Sequence, residues 1–251
     1  MVKGKKMRKF IKVMICLSML TLLTAVVAQA ADAPAKPWKA NAELSFVNAN
    51  GNTKATTLSA KGKYNYDWTR DGLEVEAGAF NTATQAVTTA EQYFISEKIT
   101  RKWTDKDYMF EKVRWDKDRF AGVKDRYDAG VGEGRQILDL PQDKLNAELG
   151  VGYISEGHYG NINKTEYASG RAYAKYARIL SATATASQDV EYLADLKNSN
   201  GYRLNAETAL IASLSTHLSM KTSFLVKHVN EPPAGFYKND TLLLVTLIVN
   251  Y

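Results

Sequence analysis

The chain is short of the residues that staple small exported domains. Among 251 residues the one cysteine is Cys16, so no disulfide can form within the chain. That removes the disulfide-framework class of secreted proteins. Proline is scarce, and it cannot donate to a strand ladder. All five prolines, Pro34, Pro37, Pro141, Pro232 and Pro233, fall between the segments that read as strands. Long apolar runs are missing beyond residue 30. The longest, Leu242 to Val249, is interrupted by Thr246. It falls well short of the roughly twenty apolar residues of a spanning helix. Catalytic and metal signatures are missing as well. His158, His217 and His228 form no HxH or HExxH pair, and no Gly-x-Ser-x-Gly elbow occurs. The expectation is a protein without metal or cofactor that is not an enzyme. A Ser-His-acid set assembled only by folding is the enzymatic alternative.

What is present begins with an address. Lys3, Lys5, Lys6, Arg8, Lys9 and Lys12 precede an apolar stretch from Val13 to Val27, and Ala28-Gln29-Ala30 follows. A basic start, a short apolar stretch and a small-x-small site make a secretory signal peptide over 1–30, cut before Ala31. An uncleaved anchor is the alternative, and the apolar stretch is short for a span. Cys16 makes a poor lipidation site, because the bulky Ile15 precedes it and the apolar stretch continues to Val27. The signal holds six of the 33 Lys and Arg and none of the 27 Asp and Glu, so the rest of the chain carries 27 of each. The basic balance therefore belongs to the targeting segment and gives no reason to expect a nucleic-acid partner.

Beyond a short lead-in over 31–37, the chain alternates with period two. From Trp38 to Phe46 the even positions are apolar and the odd ones mostly polar. Leu58, Ala60, Gly62, Tyr64 and Tyr66 interleave with Ser59, Lys61, Lys63 and Asn65. Leu145–Tyr153, Ala182–Tyr192, Tyr202–Leu210 and Leu218–Val226 repeat the theme. Alternation means two faces in different solvents. Segments 90–99, 107–116, 126–137 and 164–176 alternate less cleanly and are placed as strands by spacing as much as by pattern. Turn signals such as Asp71-Gly72, Leu140-Pro141 and Asn198-Ser199-Asn200-Gly201 separate the runs. The count is about twelve strands of roughly nine to twelve residues, the length that suits tilted strands crossing a bilayer. Connections after odd strands read as longer, such as Asn81–Thr89 and Asn230–Asn239, and those after even strands as short, such as Thr216-His217.

The fold expected over 38–251 is all-β, an antiparallel up-and-down transmembrane barrel with short periplasmic turns, located in the cell outer membrane. A chain without a spanning helix can cross lipid only as a closed barrel, which leaves no backbone group unpaired. The polar face is charged at mid-strand, as a wet lumen would be. Aromatics sit near strand ends (Trp38, Tyr66, Trp68, Trp103, Tyr108, Tyr153, Tyr202 and Tyr251), where interfacial girdles lie. A soluble β-sandwich or lipocalin-like barrel would also alternate, with its apolar face turned inward. Long strands, the lack of a disulfide and the aromatic terminus favour the membrane.

Three segments carry a resemblance: Trp38–Leu58 (WKANAELSFVNANGNTKATTL), Trp115–Phe120 (WDKDRF) and Asp240–Tyr251 (DTLLLVTLIVNY). They resemble the salt-induced outer membrane protein family, the YdiY-like proteins, a domain of unknown function. The resemblance implies an outer-membrane location and an association with salt or envelope stress, and it brings no catalytic residues. The apolar face of Val245, Leu247, Val249 and Tyr251 resembles the C-terminal signal read by the barrel assembly machinery. The implied partners are outer-membrane lipid and, during biogenesis, that machinery and periplasmic chaperones. Many relatives end in Phe where this chain has Tyr251, and both are aromatic.

The densest charge cluster is Arg114, Asp116, Lys117, Asp118 and Arg119. It could line a constriction or hold an ion at the outer rim; the plainer reading is a set of mutually compensating ion pairs at a strand end. It lacks the glycine and distal glutamate of an EF-hand loop. The inward positions carry both signs: Lys39, Lys61, Lys63, Arg114, Arg171, Lys175, Arg203, Lys221 and Lys227 against Glu43, Glu74, Glu76, Glu148, Asp189, Glu191 and Glu207. Twelve strands lie between the filled eight-strand barrel and the open sixteen-strand pore. The mixture fits a cross-linked, closed interior or a narrow channel of weak selectivity. A specific small-solute channel is the main functional alternative.

Overall fold

The computed structural model describes residues 37–49, 55–84, 87–119, 121–160 and 164–251. The expected signal segment, most of the lead-in, Phe120 and residues 50–54, 85–86 and 161–163 lie outside the described residues. Twelve strands follow one another: β1 (Trp38–Ala49), β2 (Ala55–Asp67), β3 (Asp71–Thr84), β4 (Val87–Lys102), β5 (Asp107–Asp118), β6 (Val123–Asp139), β7 (Asp143–His158), β8 (Lys164–Ser181), β9 (Ala184–Asp195), β10 (Tyr202–Ser213), β11 (Leu218–Val229) and β12 (Asn239–Asn250). Each pairs antiparallel with its neighbours in sequence, and β1 pairs with β12, so the sheet closes into an up-and-down barrel. We call the end that carries Trp38 and Tyr251 the base and the other end the mouth.

The alternation maps directly onto the wall. Leu44, Leu149 and Leu243 point outward and are 55%, 69% and 68% exposed. Ser45, Asp116 and Glu148 point inward and are buried. A soluble barrel would show the reverse. An outer surface this apolar is too large a patch for water and is the face a bilayer covers. Aromatic pairs stand near both ends. Trp38 stacks on Tyr64, and Tyr66 leans on Trp68, at the base; Tyr192 leans on Tyr202 near the mouth. Tyr108 is an exception among the expected girdle residues. It turns into the lumen, opposite Gly134, and its hydroxyl reaches Glu148.

The strands run 12 to 18 residues, longer than alternation indicated. The expected Asn81–Thr89 loop is corrected most. β3 continues to Thr84 and β4 begins at Val87, with Thr57 and Thr82 hydroxyls 3.1 Å apart across β2 and β3. Above the lipid both faces of a ladder are wet. The ladder therefore persists where the apolar/polar pattern that reveals it has stopped. Base turns are short, such as 68–70 and 182–183, while the mouth carries the longest arm, 230–238. This arm crosses the mouth. Asn198 donates to the Glu231 carboxylate (2.7 Å) and Asn230 to the Asn200 carbonyl (3.0 Å). Phe236 lies on Gly122, across the barrel in the β5–β6 turn. A Cβ at Gly122 would stand 2.7 Å from the ring, and its φ of 69° is one that glycine adopts without strain.

Candidate functional site: the charged lumen

Inside β3 to β7, aromatic rings cover glycines on the next strand. Phe94 lies directly opposite Gly78, Phe110 opposite Gly132 and Tyr108 opposite Gly134. A Cβ on Gly132 would come within 2.6 Å of the Phe110 ring and 2.7 Å of the Gly150 Cα. Missing side chains on one strand thus make room for rings from its neighbour, the aromatic rescue of glycine. The rings in turn seat cations. Arg114 stands 4.3 Å over Phe94, Lys98 5.0 Å over Phe110 and Arg171 4.8 Å over Tyr173. Such contacts strengthen where water is excluded.

On this shelf three buried carboxylates each meet two or more partners. Glu148 meets Lys98, the Arg171 Nη1 (2.8 Å) and the Tyr108 hydroxyl (2.7 Å). Asp116 meets Arg114 (2.7 Å) and Arg126 (3.2 Å). Glu156 meets Arg203 (2.6 Å), with His158 at 3.3 Å and Arg126 at 3.8 Å. Several links leave the local wall. Arg171 ties Glu148 to Glu191 (2.7 Å), and Lys112 of β5 reaches the same Glu191 of β9 at 3.2 Å. Lys221 joins Glu43 of β1 (2.5 Å) and Glu207 of β10 (3.4 Å). Lys227 of β11 spans to Asp118 of β5 and Gln92 of β4, 2.8 Å each. β5 and β11 stand on opposite walls of the ring. The lumen is therefore bridged across its width near the mouth.

The five residues of the sequence cluster separate at this wall. Arg114, Asp116 and Asp118 face inward and join the lumen network. Lys117 and Arg119 instead meet Glu91, at 2.5 and 3.3 Å. Val245, Leu247 and Tyr251 stand on the outer face, and the Tyr251 amide donates to the Ala40 carbonyl at 2.9 Å. Sequence reasoning missed Lys98, Tyr108, Phe110, Arg126 and Glu156 as members of the network. Outward acids on β4, β5 and β6 (Glu97, Glu111 and Glu133) and inward aromatics on β4 and β5 blur the alternation there, and Glu156 lies past Tyr153, where the clean pattern of β7 ends. The opposed Gly and aromatic positions were the signal available. Among the described residues no group of three or more His, Cys, Asp or Glu side chains is arranged to hold a metal ion.

Apolar outside, charged inside, closed in register and bounded by aromatic rims, the molecule is an outer-membrane β-barrel. Residues 42–251 match the family described as "Protein of unknown function, DUF481", and the chain belongs to that family. The uncharacterized protein YdiY of Escherichia coli (strain K12) is 28% identical over 208 residues, 80% of this chain and 79% of that one. Among solved structures, an outer membrane channel from Pseudomonas putida F1 superposes with a TM-score of 0.52 at 10% identity, covering 90% of this chain and 100% of that one. The translocator domain of the autotransporter NalP from Neisseria meningitidis has a TM-score of 0.48 at 11% identity, covering 97% of each chain.

Proposed function

We propose that this protein is a non-enzymatic outer-membrane barrel whose lumen is closed to free diffusion of aqueous solutes, serving the integrity of the envelope under salt stress. The base faces the periplasm and the mouth the exterior. A cleaved signal over 1–30 exports the chain, periplasmic chaperones carry it, and the assembly machinery reads Val245, Leu247, Val249 and Tyr251. One observation supports closure above all: Lys227 reaches Asp118 and Gln92 on the opposite wall. A general pore keeps its centre free of such crossings. Conductance of the refolded full barrel in planar bilayers tests this. The expected trace stays at the bilayer baseline, and long-lived ohmic steps would overturn the reading. A narrow small-solute channel is the second reading. It is favoured by the wetter wall of β2 and β3, where Lys61, Lys63 and Glu74 side chains keep 30%, 25% and 39% of their surface.

A further inference from the structure

The lipid-facing wall carries a groove. It crosses β6 to β9 on the outside of the barrel and has a volume of about 620 Å³. That lies within the range of small-molecule sites, roughly 300–1,000 Å³. Its floor is Ala147 of β7 with Ala172 and Ala174 of β8, where short side chains leave the sheet bare. Leu149 of β7 and Tyr192 of β9 stand beside this floor. The register gives the groove a direction. Asp107↔Arg135, Arg135↔Ala147, Ala147↔Ala174 and Ala174↔Val190 form one line of partners across β5 to β9. Asp107 opens β5 at the base. Continued through Ala206 and Val226, the same line reaches Thr241, near the mouth end of β12. The line therefore climbs the wall, as the strand tilt of a closed barrel requires. The groove starts at the base rim and rises into the hydrocarbon.

Its two ends differ in chemistry. The upper end is lined by Ala172, Ala174, Val190 and Tyr192. At the lower end the exposed Trp103 stands in the base turn, and tryptophan favours the headgroup level of a membrane. Glu133 and Arg135 project outward beside it from β6. Two residues apart on one face of a strand, they are about 7 Å from each other. Glu133 stands between apolar neighbours, Met109 of β5 and Leu149 of β7. An ionised group on a lipid-facing wall is costly and calls for a partner. Hydrocarbon supplies none, whereas a lipid headgroup does. Arg135 gives its Nη1 to Asp107 at 3.2 Å and keeps the rest of its five-donor fork for an oxyanion. Two carboxylates, Asp107 and Glu133, stand with this one guanidinium, so the lower end favours a ligand that brings a cation as well as an anion.

We propose that this groove binds one phospholipid of the leaflet at the base, of the zwitterionic kind that carries a primary ammonium. The ammonium meets Glu133, the phosphate meets Arg135, and an acyl chain rises over Ala172 and Ala174. The site lies wholly on the outer wall, so it goes beyond lumen closure without depending on it.

Native mass spectrometry of the refolded full barrel tests this. The detergent contains equal amounts of dipalmitoyl phosphatidylethanolamine, phosphatidylcholine and phosphatidylglycerol. One phosphatidylethanolamine per barrel is expected, retained several-fold over either competitor. Choline has no N–H to donate to Glu133, and the glycerol headgroup brings no cation. Glu133→Gln is expected to abolish the preference among headgroups, and Ala172→Phe, which fills the floor, to lower retention of all three lipids several-fold. Glu97→Gln, the same change at an outward acid of β4 away from the groove, is expected to alter neither. Equal retention of the three lipids by the unaltered barrel overturns the proposal. So does a preference that survives Glu133→Gln or is lost equally in Glu97→Gln, and so does retention that Ala172→Phe leaves unchanged. Unheated electrophoresis confirms that each variant is a folded barrel.

Discussion

At the level of single residues, burial decides which ion pairs matter. Asp116 is 1% exposed and holds two guanidinium groups, while Lys117, one position on, belongs to an outer pair. Removing one partner from a buried network leaves uncompensated charge and costs about 3–5 kcal/mol. An exposed pair contributes at most about 1 kcal/mol. Asp116→Ala is therefore expected to destabilise the refolded barrel by that larger amount and Lys117→Ala by the smaller one, measured by urea unfolding in lipid vesicles. Equal effects would show that Asp116 does not organise the lumen. The two residues are adjacent in one charged run, and the run alone does not rank them. The strand's period does, because it sends Asp116 in and Lys117 out.

At the level of elements, the mouth arm 230–238 is held by Phe236 on Gly122 and by Asn198 on Glu231. Gly122→Ala introduces a methyl against the ring and an L side chain at positive φ, a strained combination. The arm should come loose, seen as faster proteolysis within 230–238 at an unchanged unfolding midpoint of the barrel. An arm still protected would mean that Asn198 and Asn230 hold it alone. The neighbouring strands show how far the sequence could be read. β1, β2, β7, β10 and β11 alternate between lipid and lumen, and most of their inward charges follow from that pattern. β4, β5 and β6 do not, because rings fill glycine gaps inside and acids stand outside. The Pro232-Pro233 interruption marked the arm as a loop. Its landing on Gly122 depends on ring closure, which brings residues about a hundred positions apart together and leaves no local periodicity.

At the level of the whole molecule, the twelve strands and two solvent faces were legible, because a bilayer and a wet interior impose opposite demands on alternate residues. Whether the interior stays open was not legible, since equal numbers of cations and anions suit either state. The bridges decide it, and Lys227 spans furthest. Lys227→Ala should therefore raise ion conductance above that of the unaltered barrel in planar bilayers while leaving folding intact by unheated electrophoresis. An unchanged baseline would place the closure lower, at Lys112 and Lys221.

The span from Asp118 to Lys227 also sets a condition on biogenesis. The two residues are 109 positions apart, and the lysine arrives on the eleventh strand. An inserting intermediate that stops at β10 carries Asp118 without this counterion. The crossing therefore forms only once the last hairpin has joined the ring, so its presence distinguishes a closed barrel from one still short of its final strands.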